Sequence, residues 1–423
     1  MKQRADLTFK ANLSRGRHGW LRLTPAYSVK LVGEILDENP GFQRVLEPFS
    51  GTATTGLVCG ERGMASDGFD INPFLVWLGG VKTANYAETT RRDALKLLAG
   101  LPLQLARGDW RPPIFDIERW WSPSRLELLS DLHAWLAALP QDSPRDLLTV
   151  AFCRCLIDWS NAAFNHQSMS FKEVEPTLFD DSEREQLLGE FTRIARGIIE
   201  STAQPVPGNV RILHGDSRDI PAQGEPYDAL ITSPPYPNRM SYIRELRPYM
   251  YWLGYLTHAR QAGELDWQAI GGTWGIATSL VGKWQPNGTA VEHPGFDEMA
   301  DSIRARSPIL GNYVHKYFVD MTDHLRSAVA LLRPGGRAFY IVGNSKFYDT
   351  LVPVEEIYAS LMRAAGFTAV RVDKIRKRNS KKELFEFAVS GTAPVKMAGR
   401  RPSASLIKST PPTAPATTSW WNS

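Results

Sequence analysis

The run Tyr227-Asp228-Ala229-Leu230-Ile231-Thr232 is apolar and ends abruptly at Ser233-Pro234-Pro235-Tyr236. No other stretch constrains the chain as tightly. Two consecutive prolines have fixed φ and donate no backbone N–H, so a strand ladder has to stop there, and their carbonyls stand as rigid acceptors beside a hydroxyl and an aromatic ring. From the residues alone the ending reads in two ways: a strand closed by a proline-stiffened turn, or a pocket wall suited to an exocyclic amine on a flat base. Further apolar runs lie at about 45–49, 64–69, 210–214 and 337–343, separated by helical patterns, which predicts a mostly parallel sheet covered on both faces. Arg333-Pro334-Gly335-Gly336-Arg337 reads as a tight turn before the last of these. Pro353 to Ala365 reads as a helix, and apolar runs near 368–376 and 384–390 follow it.

Several of these strands end in polar turns. Val45-Leu46-Glu47-Pro48-Phe49-Ser50-Gly51-Thr52-Ala53-Thr54-Thr55-Gly56-Leu57 is a buried strand, a glycine turn and a helix start, a combination that lets a ligand approach the backbone near the N–H groups of a helix N-terminus. Met64 to Phe69 ends at Asp70, followed by Ile71-Asn72-Pro73. An acid at that offset from Gly51 is either a helix cap or a ligand of ribose hydroxyls. Val210 to Leu213 leads into His214-Gly215-Asp216-Ser217, where the acid caps a loop or meets a ligand, and His214 reads as a packed or surface residue. Leu23-Thr24-Pro25-Ala26-Tyr27 precedes them all, and a hydroxyl followed by proline predicts a helix entry there.

Thr232 to Tyr236 resembles the catalytic motif of amino-methyltransferases acting on nucleic acid, in the spelling of the cytosine-N4 DNA branch; the adenine-N6 enzymes more often carry Asp or Asn at the place of Ser233. The resemblance covers about 24–75 and 210–390, in the order closing segment, cofactor loop, acidic turns, catalytic motif. It implies an α/β, Rossmann-like class I methyltransferase fold: a mostly parallel sheet with a C-terminal antiparallel hairpin and a helical insertion. It also implies S-adenosylmethionine as cofactor. Thr24, Pro25, Ala26 and Tyr27 would then close over the methionine end and Glu47 would reach its amino group. Pro48, Phe49, Ser50, Gly51 and Thr52 would form the cofactor loop, Asp70 with Ile71 would hold the ribose, and Asp216 with Ser217 the adenine. The chain departs from the family's loop at Glu47, usually Asp, and at Ala53, usually Gly. At the reacting end the family pattern assigns Ser233 and the Pro234 carbonyl to the amine, with Pro235 beside them and Tyr236 stacked on a flipped-out base. Asn238, Asn344 and Ser345 are candidates for the base pocket. Transfer would be direct, without metal; the Pro-Cys nucleophile of carbon-5 cytosine methyltransferases does not occur in the chain.

Two segments are too long to be plain connections. In the first, Leu126, Leu129, Leu132, Leu136 and Leu139, and later Leu187, Phe191, Ile194 and Ile198, recur at helical spacing. The expected organisation is 1–82 as N-terminal arm and cofactor half, 83–207 as helical insertion and candidate target-recognition region, 208–391 as catalytic half with an insert at 237–312, and 392–423 as a basic, disordered tail. The insert carries Tyr242, Arg244, Arg247, Tyr249, Tyr251 and Trp252, which read either as DNA contacts or as a buried seam. Arg239, Arg244, Arg247, Arg376, Lys377 and Arg378 are the candidate DNA contacts; a solvated lysine-rich hairpin is the alternative for the last group, which extends to Lys381 and Lys382.

Formal net charge is only +4, hydrophobic residues make up 43% and charged residues 22%, so composition excludes a disordered chain. The three cysteines, Cys59, Cys153 and Cys155, form no paired framework, and Met1 to Trp20 lacks the apolar core of a secretory signal. Cytoplasm is the expected location. Double-stranded DNA is the expected partner, with a restriction endonuclease encoded separately. Adenine-N6 methylation of DNA, amine methylation of RNA and an inactive DNA-binding scaffold are the alternatives.

Overall fold

The computed structural model describes residues 5–7, 9–21, 23, 27–163, 170–171, 181–378 and 383–395. Seven strands form its main sheet: β1 (Arg44–Glu47), β2 (Ala65–Asp70), β3 (Val210–His214), β4 (Tyr227–Thr232), β5 (Leu332–Gly343), β6 (Thr368–Lys377) and β7 (Phe385–Thr392). They lie in the order β3-β2-β1-β4-β5-β7-β6. Every pair from β3 to β5 is parallel; β7 runs antiparallel to β5, and β6 to β7. This is a Rossmann-like class I methyltransferase fold with a C-terminal antiparallel hairpin. The expected strands are present with small changes of boundary. The largest change is in β5, which begins at Leu332 and absorbs the turn expected at Arg333–Arg337, with Gly335 at φ +76°.

Alternation along the strands explains why both faces are covered. Val45, Ala229, Ile231, Phe339 and Ile341 point into one core with α1 (Val29–Asp37) and α2 (Thr54–Glu61). Leu46, Leu230, Ala338, Tyr340 and Val342 point into the other, against the helices Pro308–Val329 and Val354–Ala364. Successive side chains on a strand face opposite ways, so a parallel strand between two helical layers has to be apolar at nearly every position.

The helical insertion contributes helices Glu88–Ala99, Pro123–Ala137, Ser143–Asp158 and Asp181–Ser201. Ser122 and Asp142 cap the second and third, each followed by proline in the first turn. One apolar cluster runs from α3 (Pro73–Thr83) through this insertion to helix Tyr242–Trp252. Cys153 and Cys155 are fully buried in it. No helix among the described residues is long and apolar enough to cross a membrane.

The expected helix entry at Thr24-Pro25 falls outside the described residues; among those described, α1 starts at Val29, where the Ser28 side chain accepts from Leu31 N–H. Thr24, Pro25 and Ala26 lie outside the described residues, as do Lys381, Lys382 and the tail from 396.

Candidate active site

The sheet order reverses direction between β1 and β4, and in open α/β sheets ligands bind at the carboxyl ends of the strands beside such a reversal. A cavity of about 320 Å³ opens there. Its walls bring together Tyr27, Pro48 to Thr52, Asp70, Ile71, Asp216, Ser217, Ser233 to Tyr236 and Asn238, residues spread over four strand ends.

On one side the geometry is made by short turns. Gly51 has φ +50°, a conformation that glycine adopts at little cost, and its N–H donates to Asp70 Oδ2 at 2.8 Å. Asp70 Oδ1 accepts from Asn72 N–H, also at 2.8 Å. Asn72 in turn caps α3, accepting from Phe74 N–H, with Pro73 in the first turn. Asp70 is thus a turn acid and also a wall of the cavity. Burial pushes its carboxyl up to about 6, against the hydrogen bonds it accepts. Asp216 meets Arg218 in an ion pair at 2.6 Å. Burial acts to raise its carboxyl, but the Arg218 hydrogen bonds outweigh that and hold it below its ordinary value.

These residues fit S-adenosylmethionine. Two carboxylates from adjacent strand ends face one cavity, and each retains acceptor capacity for a hydroxyl or an amine. The Ser50 hydroxyl, also in the cavity wall, is buried without a hydrogen-bond partner in the protein, a cost that a polar ligand would remove.

Glu47 departs from its expected role. It is fully buried and absent from the cavity wall; its carboxylate accepts from the N–H groups of Thr55 (3.4 Å) and Gly56 (3.3 Å). Because Ala53 enters α2 at φ +56° and supplies no side-chain cap, Glu47 satisfies the orphan amides of that helix end from beneath. Tyr27, which does line the cavity, donates to the same carboxylate at 3.2 Å. Burial pushes the Glu47 carboxyl up to about 8. Lys82 of α3 is buried nearby and donates from Nζ to the Thr52 carbonyl at 2.6 Å, so it pins the cofactor loop from below.

The other side is assembled across the sheet. Ser233 Oγ donates to the Ile341 carbonyl on β5 at 3.1 Å and lies 3.4 Å from the Tyr236 hydroxyl. Tyr236 donates to Glu386 of β7 at 3.1 Å, and Arg376 of β6 grips that carboxylate through Nε and Nη2. The Arg378 guanidinium lies 5.0 Å from the Tyr236 ring centroid. This close packing needs Gly343: a Cβ there would come within 3.0 Å of Tyr236 and 2.6 Å of Arg378. Tyr317 donates to the Pro235 carbonyl at 2.7 Å, while Tyr313, one turn earlier, accepts from Arg239 N–H at 3.1 Å.

Several expected roles change here. Asn344 and Ser345 are buried away from the cavity wall; Asn344 bonds the Glu383 carbonyl and the Phe385 N–H, which ties β5 to the start of β7. Arg376 is engaged with Glu386, and Arg378 donates to the Asn344 carbonyl; both line the cavity. Arg247 lies over the rings of Trp120 (5.1 Å) and Trp274 (5.2 Å). Tyr249, Tyr251 and Trp252 are buried, so these rings and Arg247 form a seam rather than a DNA-facing surface. Arg239 is exposed; Arg244 and Lys377 are half-buried.

Glu386 and His324 had no signal in the sequence. His324 is buried between the Ser217 carbonyl and the Tyr340 hydroxyl, and burial lowers its pKa to about 4, so it supports the Asp216 turn as a neutral imidazole. The spacing of Tyr313 and Tyr317 on one helix face was legible, but it is also that of ordinary core residues.

No family model matches the chain. It is 22% identical to the type II methyltransferase M.AvaI of Nostoc sp. (strain PCC 7120) and of Anabaena variabilis, over 87% of this chain and 83% of theirs. It is 22% identical to the type II methyltransferase M.BsoBI of Geobacillus stearothermophilus, over 90% of this chain and 85% of that one. Among solved structures, TrmN from Thermus thermophilus aligns at 13% identity and TM-score 0.29, over 91% of this chain and 52% of that one. The rRNA methyltransferase aviRa from Streptomyces viridochromogenes aligns at 16% and 0.33, over 91% and 92%. Those two superpositions are too loose to carry an argument. The similarity along most of these relatives' length, the sheet order and a cavity that brings the glycine turn beside Ser-Pro-Pro-Tyr agree with an S-adenosylmethionine-dependent methyltransferase related to the amino-methyltransferases of nucleic acids.

Proposed function

We propose that this protein methylates the N4 amine of cytosine in double-stranded DNA. The observation that carries the reading is that Ser233 and Pro234 share a cavity with Asp70 and Asp216, so an amine and a methyl donor would meet there. The resemblance of Thr232 to Tyr236 to the cytosine-N4 branch supports the choice of base, and the similarity to two type II methyltransferases supports a nucleic-acid substrate; double-stranded DNA and a separately encoded endonuclease partner are part of the proposal.

S-adenosylmethionine supplies an electrophilic methyl group on a sulfonium; the remaining work falls to the chain. Asp70 would hold the cofactor by accepting from the ribose hydroxyls, and Asp216 by accepting from the adenine amine. A paired cytosine engages its amine in the duplex, so the base has to leave the stack to reach the cavity. Tyr236 offers its ring for stacking. Ser233 gives its own proton to the Ile341 carbonyl or to Tyr236, which leaves oxygen lone pairs for an incoming N–H. With the Pro234 carbonyl it draws the nitrogen lone pair out of ring conjugation and toward the methyl. The rate gain comes from position and preorganised dipoles. Exposed Arg239, with Arg244 and Lys377, is assigned to phosphate contact.

Incubation with labelled S-adenosylmethionine and separate DNA and RNA pools, followed by nucleoside identification, tests the reading. N4-methylcytosine in DNA is the expected product. N6-methyladenine moves the reading to the adenine branch, and label in RNA alone overturns it.

A further inference from the structure

Methylation of an amine releases a proton, and within a cavity walled by apolar side chains that proton needs a route. Beside Ser233 a line of hydrogen-bonding groups leads to a carboxylate. Ser233 Oγ reaches two acceptors, the Ile341 carbonyl at 3.1 Å and the Tyr236 hydroxyl at 3.4 Å, and the Tyr236 hydroxyl donates to Glu386 Oε1 at 3.1 Å. Glu386 is 7% exposed and lines the same cavity. Arg376 binds it at 2.7 Å through Nε and 3.1 Å through Nη2, which fixes the carboxylate plane.

Resting on the assignment of Ser233 to the amine, we propose that Ser233, Tyr236 and Glu386 form a proton relay and that Glu386 is the final acceptor. The balance is as follows. The nitrogen–carbon bond forms as the donor's carbon–sulfur bond breaks, and that electron pair stays on sulfur. The amine passes one proton to Ser233 Oγ, Ser233 passes its own to the Tyr236 oxygen, and Tyr236 passes its own to Glu386. Serine and tyrosine are restored, and the methylated amine is neutral. The sulfonium cation and the carboxylate anion have both been discharged. The carboxylate also acts before any proton moves, because a buried negative charge at the far end of the chain favours positive charge developing on the nitrogen. In this scheme Ser233 is the catalytic residue at the amine, and Glu386 is a positioning residue that acts through Tyr236.

Tyr236→Phe keeps the ring and removes the middle link; Glu386→Gln keeps the side-chain shape and removes the acceptor. Each is expected to slow single-turnover transfer by roughly 10²-fold, the usual scale of a positioned acid or base. S-adenosylmethionine binding by calorimetry is expected to stay within about twofold, since neither residue belongs to the carboxylate wall assigned to the cofactor. Should Glu386→Gln disturb folding through Arg376, Tyr236→Phe stands alone as the test. A Tyr236→Phe protein that transfers at the wild-type rate, or a folded Glu386→Gln protein that does so, overturns the relay. Failure of the underlying reading looks different: a wild type that binds S-adenosylmethionine and methylates no base removes the amine and the relay with it.

Discussion

The two halves of the cavity are built on different length scales. On the cofactor side, Asp70 bonds the N–H of Asn72, two residues on, and of Gly51, nineteen back. Glu47 reaches amides eight and nine residues away. On the amine side Tyr236 meets Glu386 across 150 residues, Ser233 meets Ile341 across 108 and Pro235 meets Tyr317 across 82. A turn-built wall forms from the local chain. A wall assembled across the sheet exists only when the sheet is complete, so its failures appear as lost catalysis in a protein that still binds cofactor.

Five experiments test that contrast, beginning with the largest effect. Glu47 holds a proton in the folded protein up to about pH 8, against an ordinary value of 4.5. Folding therefore takes up a proton between those values: the stabilisation is complete below about 4.5 and is lost as pH rises through about 8. Wild type is expected to lose up to about 5 kcal/mol across that window from this group, and Glu47→Gln is expected to flatten the curve. Urea titrations at both ends of the window check it; equal slopes for the two proteins would show that the helix end is capped by something else.

On the amine side, Ser233→Ala removes one acceptor and leaves both prolines. Single-turnover transfer is expected to fall roughly 10²–10³-fold with cofactor binding preserved. Wild-type transfer by this variant would reduce Ser233 to a shaper of the turn and weaken the choice of cytosine.

Asp70→Ala is the matching cut on the cofactor side. It is expected to weaken S-adenosylmethionine binding by about 1.5–3 kcal/mol, because two backbone N–H groups lose an acceptor along with the ribose. Unchanged affinity by calorimetry in a folded protein would mean that the ribose lies elsewhere.

Tyr317→Phe probes the long-range support of the prolines. Losing the bond to Pro235 is expected to cost about 1 kcal/mol of stability and to slow transfer by roughly fivefold without altering cofactor affinity. A change in cofactor affinity of similar size would show that the two walls are mechanically coupled.

Ala53→Gly is expected to do least. Relief of a left-handed alanine is worth ~1–2 kcal/mol, while loss of a buried methyl (~0.8 kcal/mol) and the added backbone freedom of glycine (~0.5–1 kcal/mol) oppose it. Net stability within about 0.5 kcal/mol of wild type would explain how alanine occupies this turn; a larger destabilisation would assign the methyl a packing role against α3.

Much of the fold was legible because strands between two helical layers must be apolar on both faces, as Val45 and Leu46 are, and because turns such as Asp70-Ile71-Asn72-Pro73 carry their own capping chemistry. Misreadings arose where a side chain had two possible users. Glu47 reads as a cofactor ligand until α2 is found to lack a cap, and Arg247 reads as a phosphate contact until Trp120 and Trp274 enclose it. Neither competitor is near in sequence to a pattern that would announce it.

By itself the sequence determined the strand and helix periods, the glycine turn, the acidic turns and the proline-closed end of β4, because each depends on the φ/ψ range and reach of a few neighbouring residues. Only the tertiary structure decided that Tyr236 meets Glu386. That contact depends on the antiparallel register that places Glu386 opposite Gly343 on β5 and opposite Arg376 on β6. Such a register minimises the energy of the whole sheet, so no single segment encodes it.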